Sequence, residues 1–241
     1  MDTLFNSTYG TLSERSLHEV WDKHEFCFPV LKKMITTVPG IDSIVDLGCG
    51  SGKMLSSISQ LNSGLTLIGI DSSKVAIDSA SLRLGDNALF VKGDLSNVID
   101  FEGERCLVYS SGFTSNLFSE NDWARIVTRW LFNSPSVYAF VYDTFWWPHI
   151  SKTVRQDGVF EGKDASLRWS VERNNEGQTS YNIDKNTGAI TSVRSFNHKR
   201  RSLSFKNTRG VRTYEVLHKK VELSGGFSTE SCTCVIARTD S

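Results

Sequence analysis

Residues 45–53 of the chain read Val45-Asp46-Leu47-Gly48-Cys49-Gly50-Ser51-Gly52-Lys53. The apolar stretch Ile44–Leu47 predicts a buried strand, and Lys53–Gln60 predicts the helix that follows the three glycines. Glycine at such a turn lets the backbone bend tightly and approach a ligand closely. The free N–H groups at the start of the helix favour a polar ligand there. The stretch therefore predicts a strand–turn–helix unit that binds a ligand.

Strands and helices continue to alternate after this unit. The predicted strands are Leu65–Ile70, Ala88–Lys92, Cys106–Ser110 and Ser136–Tyr142, and the predicted helices are Ser73–Leu84 and Glu120–Phe132. Such alternation predicts parallel strands joined by right-handed crossovers. We therefore expect an α/β fold with a doubly wound sheet. Apolar residues at helical spacing over residues 11–38 predict N-terminal helices before it.

The pattern changes after Pro148. Short runs separated by Asn, Asp and Gly predict an antiparallel meander over residues 155–206. We expect Thr213–Leu223 to be a helix and Cys232–Arg238 a single closing strand. The predicted units are an N-terminal helical cap (1–40), a ligand-binding core (41–150), an antiparallel lid inserted after the fifth strand (151–209) and a C-terminal helix with a closing strand (210–241).

Composition narrows the function classes. The chain is 39% hydrophobic and 22% charged, which is typical of a globular protein. No apolar run reaches the roughly 18 residues of a membrane span, and no basic start precedes an apolar stretch, so we expect a cytoplasmic protein without membrane contact. None of the five cysteines has zinc-site spacing, and Cys232 and Cys234 are expected to be buried on one strand face.

Three classes of ligand fit a glycine-rich turn. A phosphate-binding P-loop requires Ser or Thr after Gly-Lys, but Met54 follows Gly52-Lys53. It also requires a glycine five positions before that Gly, where this chain has Leu47. A dinucleotide site requires a third glycine, which is replaced by Lys53 or Leu55 in the two possible registers. S-adenosylmethionine has an adenosine but no pyrophosphate, so it needs close backbone approach without a phosphate cradle.

Three segments together carry a resemblance to a known family. Asp46-Leu47-Gly48-Cys49-Gly50-Ser51-Gly52 resembles motif I of the class I S-adenosylmethionine-dependent methyltransferases, which have a Rossmann-like core. Gly69-Ile70-Asp71-Ser72-Ser73 and Lys92-Gly93-Asp94-Leu95 resemble the ends of that family's second and third strands. The order and spacing match over about residues 40–145. The resemblance implies S-adenosylmethionine as cofactor and S-adenosylhomocysteine as product.

The resemblance also implies roles for the cofactor residues. Asp71, with Ser72 beside it, is expected to bind the ribose hydroxyls, because an ionised carboxylate only accepts hydrogen bonds. Asp94 and Leu95 are expected to face the adenine. Asp46 is expected near the methionine part, the alternative being bonds to N–H groups of the turn. The remaining predicted cofactor contacts are Gly48, Gly50, Ser110 and Tyr9.

The sequence indicates the methyl acceptor less clearly than the cofactor. Residues 109–116 lack the Asn/Asp-Pro-Pro-aromatic signature of enzymes that methylate nucleic-acid amines, and the net charge is zero, so we expect a small-molecule acceptor rather than nucleic acid. Asp143 or His149, after the fifth strand, can act as a general base. The predicted acceptor contacts are Trp21, Phe113, Trp146 and Arg200.

Two features leave alternatives open. From Lys152 to Lys220 there are 15 Lys and Arg against 7 Asp and Glu. This excess can attract an anionic acceptor, form a homodimer contact through the lid, or be a solvated face. We expect transfer of a methyl group to an O or N atom of a metabolite. The alternatives are a non-methyl reaction of S-adenosylmethionine, such as cyclisation, and a catalytically silent binding protein.

Overall fold

The computed structural model describes residues 26–99, 103–112, 114–146, 153–161, 166–184, 190–198, 210–223 and 227–239. The strands of the main sheet are β1 (Ser43–Leu47), β2 (Thr66–Asp71), β3 (Leu89–Lys92), β4 (Cys106–Ser110), β5 (Val137–Trp146), β10 (Val211–Leu223) and β11 (Phe227–Arg238). Their spatial order is β10-β11-β5-β4-β1-β2-β3. β1 to β5 are parallel, and β11 is antiparallel to both β5 and β10.

Helices cover both faces of this sheet. They are α1 (Phe28–Thr37), α2 (Lys53–Ser59), α3 (Lys74–Leu84) and α4 (Glu120–Asn133). Alternate residues of β1 point to opposite faces: Val45 packs in the cluster that contains the α4 side chains, and Ile44 in the cluster that contains those of α1 and α2. The side chain of Ser119 caps α4 by accepting from Asp122 N. The doubly wound α/β fold is confirmed.

The order of the strands creates a crevice beside β1. The chain runs from β1 outward to β3, then returns to place β4 on the other side of β1. Ligands of doubly wound sheets bind at such a reversal, outside the carboxyl ends of the strands. The glycine turn after β1 and the segment after β4 flank this position.

A second sheet follows β5. Its four antiparallel strands are β6 (Val154–Glu161), β7 (Ser166–Arg173), β8 (Gly177–Asp184) and β9 (Ile190–Phe196), paired in sequence order. The predicted meander is present, with one strand, β6, that the sequence did not single out. We call this sheet the lid.

The C-terminal segment differs from the prediction. Thr213–Leu223, expected to be helical, lies within strand β10 and pairs antiparallel with β11 from Val211↔Arg238 to Leu223↔Phe227, with a bulge between His218 and Val221. The segment is rich in β-branched and aromatic residues, which favour strands. Pairing along β11 supplies its backbone hydrogen bonds, so tertiary contacts override the helical periodicity. The sheet therefore closes with two long strands rather than one.

Three further observations concern the cysteines, metal sites and membrane spans. Cys232 and Cys234 are fully buried in the same cluster, with their sulfur atoms 3.7 Å apart, which confirms that they share a face of β11. Among the described residues, no group of His, Cys, Asp and Glu side chains is arranged to hold a metal ion. Within the same part of the chain, no helix has the length and apolarity needed to cross a membrane.

Candidate cofactor and acceptor site

The glycine turn bends through backbone angles that only glycine adopts readily. Gly48, Gly50 and Gly52 have φ of 81°, 53° and 72°, all in the left-handed region. A Cβ atom on Gly48 would lie 2.7 Å from the side chain of Thr114, in the segment after β4. Gly48 therefore has no room for a side chain, and it lies directly against the segment on the other side of the crevice.

Asp71 connects this turn to the end of β2. Its Oδ2 accepts from Gly50 N at 2.9 Å, and its Oδ1 accepts from Ser73 N at 2.9 Å. The residue is only 7% exposed, and Ser72 next to it is half-buried. A carboxylate has about four acceptor positions, so these two bonds are compatible with further bonds from vicinal hydroxyls. The predicted ribose residue thus lies beside the predicted glycine cradle.

The segment after β3 contributes the next acid at the same sheet edge. Asp71 is opposite Lys92 in the parallel pairing of β2 and β3, so Asp94 follows two residues beyond that pair. Asp94 is exposed and Leu95 is buried. The hydrogen bond from Ser96 N chiefly lowers the pKa of Asp94, which keeps its carboxylate ionised and able to accept from an amine.

Asp46 and Ser110 lie beneath the glycine turn and are almost fully buried. The hydroxyl of Tyr109 donates to Asp46 Oδ2 at 2.6 Å, and the hydroxyl of Ser110 donates to the Leu47 carbonyl at 2.8 Å. Both bonds join β1 to β4 where the two strands end. They fix the floor of the crevice, and Tyr109 is a member of this site that the sequence did not indicate.

Asp143, on β5, is fully buried beside the crevice. Its carboxylate accepts from the Thr233 hydroxyl at 2.6 Å, from Cys27 N at 3.1 Å and from Gly112 N at 3.4 Å. Burial raises the pKa of Asp143 to about 7, against the opposing effect of these hydrogen bonds. The side chain therefore joins β11, the start of α1 and the segment after β4.

Beyond the end of β4, side chains form hydrogen bonds to the backbone of β5. β4 pairs with β5 only as far as Tyr142, whereas β5 continues to Trp146. Beyond that point the Ser115 hydroxyl donates to the Asp143 carbonyl at 2.6 Å. Asn116 donates to the Phe145 carbonyl at 2.8 Å and accepts from Phe145 N at 3.0 Å. The segment after β4 is thus held along β5 by two buried side chains.

The same segment holds the lid. Asn116 also donates to the carbonyl of Phe196, the last residue of β9, at 2.8 Å. His198 Nδ1 lies 3.1 Å from the Thr144 hydroxyl, and its Nε2 lies 3.0 Å from the Phe118 carbonyl. Burial lowers the pKa of His198, so it is neutral near pH 7. It therefore adds no positive charge to the basic segment 152–220.

The structure brings most of the predicted site residues together, with some outside its scope. The predicted cofactor residues Asp46, Gly48, Gly50, Asp71, Ser72, Asp94, Leu95 and Ser110 lie at one edge of the sheet. Trp146, a predicted acceptor contact, is half-buried and packs against the core. Tyr9, Trp21, Phe113, His149 and Arg200 lie outside the described residues. Asn116, which the sequence did not single out, bonds to residues that are distant in the chain.

The residues of the crevice fit an adenosine-containing ligand. A narrow glycine turn, a carboxylate suited to a diol and an exposed carboxylate suited to an exocyclic amine follow one another along three adjacent strand ends. Asp71 would hold the ribose and Asp94 the adenine.

Comparisons with known proteins show similarity to methyltransferases. The model of a methyltransferase domain family matches residues 44–131, and no curated protein matches the sequence. The sugar N-methyltransferase KedS8 of a Streptoalloteichus species has 15% identity and a TM-score of 0.63, with coverage of 100% of this chain and 94% of that chain.

Two further solved structures share the fold. CalS10, an amino pentose methyltransferase of Micromonospora echinaspora, has 13% identity and a TM-score of 0.62 over 98% of this chain and 97% of its own. An S-adenosylmethionine-dependent methyltransferase of Clostridium acetobutylicum has 11% identity and a TM-score of 0.61 over 97% and 95%. Residues 44–131 thus match a methyltransferase domain family, and the chain shares its fold with solved S-adenosylmethionine-dependent methyltransferases.

Proposed function

We propose that the chain transfers a methyl group from S-adenosylmethionine to an N or O atom of a small-molecule acceptor bound between the crevice and the lid. The observation that carries the proposal is the link from Gly50 N to Asp71 Oδ2, which joins the glycine cradle to the ribose carboxylate. Bound S-adenosylmethionine supplies an activated methyl group on its sulfonium, so the protein mainly has to hold the acceptor in line.

The lid contacts support an acceptor on the β5 side of the crevice. The end of β9 is fastened to the segment after β4 by Asn116 and His198, close to where β5 ends. Residues at this place can exclude water from the reacting atoms and fix the angle of approach. Trp146, at the end of β5, is the described aromatic residue that we propose as an acceptor contact.

The contacts of Asp143 support a positioning role. A general base has to reach the proton of the acceptor, whereas Asp143 is fully buried and accepts from Thr233, Cys27 and Gly112. We propose that it holds the segment after β4 against β5. His149 is the remaining proposed base, for an acceptor whose nucleophile carries a proton.

An amine of a sugar-like metabolite is the first acceptor to test. KedS8 is a sugar N-methyltransferase and CalS10 an amino pentose methyltransferase, and both are similar to this chain over a length that includes the lid. The basic excess of residues 152–220 supports an anionic group on the acceptor, with a homodimer through the lid as the other use of that surface.

The test is product analysis with S-adenosylmethionine and a panel of amino sugars, their phosphate esters and hydroxylated analogues. We expect S-adenosylhomocysteine to form together with an acceptor heavier by one methylene unit. Release of methylthioadenosine would instead indicate cyclisation or cleavage of the donor. Binding of S-adenosylmethionine without turnover of any acceptor would support a silent binding protein. Charge reversal of Arg200 should raise KM for a phosphorylated acceptor, with a smaller increase at high salt.

A further inference from the structure

The adenine side of the crevice is a tight turn that depends on its own hydrogen bonds. Ser96 N donates to Asp94 Oδ1 at 2.8 Å, and Asn97 N donates to the Asp94 carbonyl at 3.0 Å. Gly93 N donates to the Asp71 carbonyl at 2.9 Å. This turn, Asp94–Asn97, therefore begins beside the proposed ribose residue and carries both proposed adenine contacts.

A tryptophan from helix α4 supports this turn from beneath. The indole N–H of Trp130 donates to the Leu95 carbonyl at 2.8 Å, and both residues are buried in the cluster between α4 and the sheet. The Arg129 guanidinium adds a longer contact of 3.4 Å to the Ser96 carbonyl. A buried carbonyl without a donor is costly, so the position of the turn depends on the position of the indole.

We propose that Trp130 is a positioning residue for adenine recognition, which fixes the Asp94–Asn97 turn at the height where Asp94 and Leu95 meet the base. The inference rests on the proposed function, because it takes these two residues as adenine contacts. Trp130 lies 35 residues beyond Leu95 and below the cofactor crevice. It acts through the turn and does not touch the cofactor.

The same helix offers a matched control. Trp123 is also fully buried in this cluster, but its indole nitrogen has no hydrogen-bond partner within the described part of the chain. Its ring packs instead against Phe118, Phe140 and Tyr142. Tryptophan-to-phenylalanine changes at positions 123 and 130 thus remove the same atoms from the same cluster. Only the change at 130 removes a hydrogen bond to the turn.

The experiment measures calorimetric affinity for S-adenosylhomocysteine and for S-inosylhomocysteine, in which a carbonyl replaces the adenine amine. We expect Trp130→Phe to raise the Kd of S-adenosylhomocysteine about tenfold, the effect of one lost hydrogen bond. The Kd of the inosine analogue should change much less, so the preference for adenine falls. Trp123→Phe should preserve this preference, because a loss of packing alone weakens both ligands equally.

A second variant tests the same hydrogen bond even if Trp130→Phe does not fold. Incorporation of 3-benzothienylalanine at position 130 replaces the N–H by sulfur at nearly unchanged ring size, and it should lower the preference for adenine in the same way. An adenine preference that stays at the unmodified level in this variant overturns the inference while leaving the proposed function intact. Failure of the unmodified protein to bind S-adenosylhomocysteine overturns the proposed function and the inference with it.

Discussion

The strongest test of the cofactor site is replacement of Asp71 by alanine. Hydrogen bonds to a charged group contribute about 1.5–3 kcal/mol each, so loss of the ribose contact should raise the Kd of S-adenosylhomocysteine by about 10- to 150-fold. The structure adds a complication. Asp71 also accepts from Gly50 N and Ser73 N, so the variant loosens the glycine turn as well as losing the proposed ribose bond.

A double-mutant cycle separates these two effects. The Kd of S-adenosylhomocysteine and of its 2′-deoxy analogue are measured by calorimetry for the unmodified protein and for Asp71→Ala. If Asp71→Ala only loosens the turn, it raises the Kd of both ligands by the same factor. If Asp71 binds the ribose, removal of the 2′-hydroxyl weakens binding to the unmodified protein but not to Asp71→Ala. We expect a coupling energy of about 1.5 kcal/mol or more between the carboxylate and the hydroxyl.

The control is another aspartate with a known partner. Asp78 on α3 is exposed and pairs with Lys74 at 2.7 Å, and exposed ion pairs contribute little. Asp78→Ala should leave both Kd values unchanged. A coupling energy near zero in a folded Asp71→Ala protein would refute the assignment of Asp71 to the ribose and leave it as a structural link between two turns.

Three further predictions concern other parts of the site. Gly50→Val should abolish binding of S-adenosylhomocysteine with little change in the far-UV spectrum. The control is Gly85→Val, which imposes similar backbone strain at φ of 54° in a place where a Cβ meets nothing within 4 Å. This control variant should bind S-adenosylhomocysteine normally. Asn116→Ala should speed amide exchange at the ends of β5 and β9. Asn197 donates to the Asn175 carbonyl just before β8, so Asn197→Ala should leave β5 protected. The raised pKa of Asp143 favours its protonated form in the folded state, so its contribution to stability is complete below about pH 4 and lost as pH rises to about 7, at up to about 1.4 kcal/mol per pH unit. Chemical denaturation should show that Asp143→Asn removes this slope, and an unchanged slope would contradict the burial argument.

The positions of the proposed donor residues could be predicted because their signals are local in the sequence. Three glycines within five residues and an acid at the end of each of the next two strands establish the turn, the order and the spacing. The bond that joins the glycine turn to the end of β2, from Gly50 N to Asp71, spans 21 residues. Alternation of strands and helices then determines which strand ends are adjacent.

Strand β10 could not be predicted in the same way. Apolar residues of β10 recur at intervals that also suit a helix, and edge strands have few neighbours to impose a strict alternation. Tyr214 and Leu217 are both more than half exposed, on opposite faces of the strand. The decisive interaction is the pairing with β11, which no local pattern within residues 211–223 reveals.

The acceptor half is built from contacts between distant parts of the chain, and this difference has a functional consequence. Asp143 bonds to Cys27 and Thr233, 116 and 90 residues away, and Asn116 reaches Phe196 across 80 residues. These bonds hold the frame of the crevice, namely the end of β5, the segment after β4 and the end of β9. The described hydrogen bonds to the proposed donor residues Asp71 and Asp94 come from the glycine turn and from the segments that follow β2 and β3. We therefore expect acceptor choice to depend on the lid strands, while the glycine turn, Asp71 and the turn supported by Trp130 keep the donor in place.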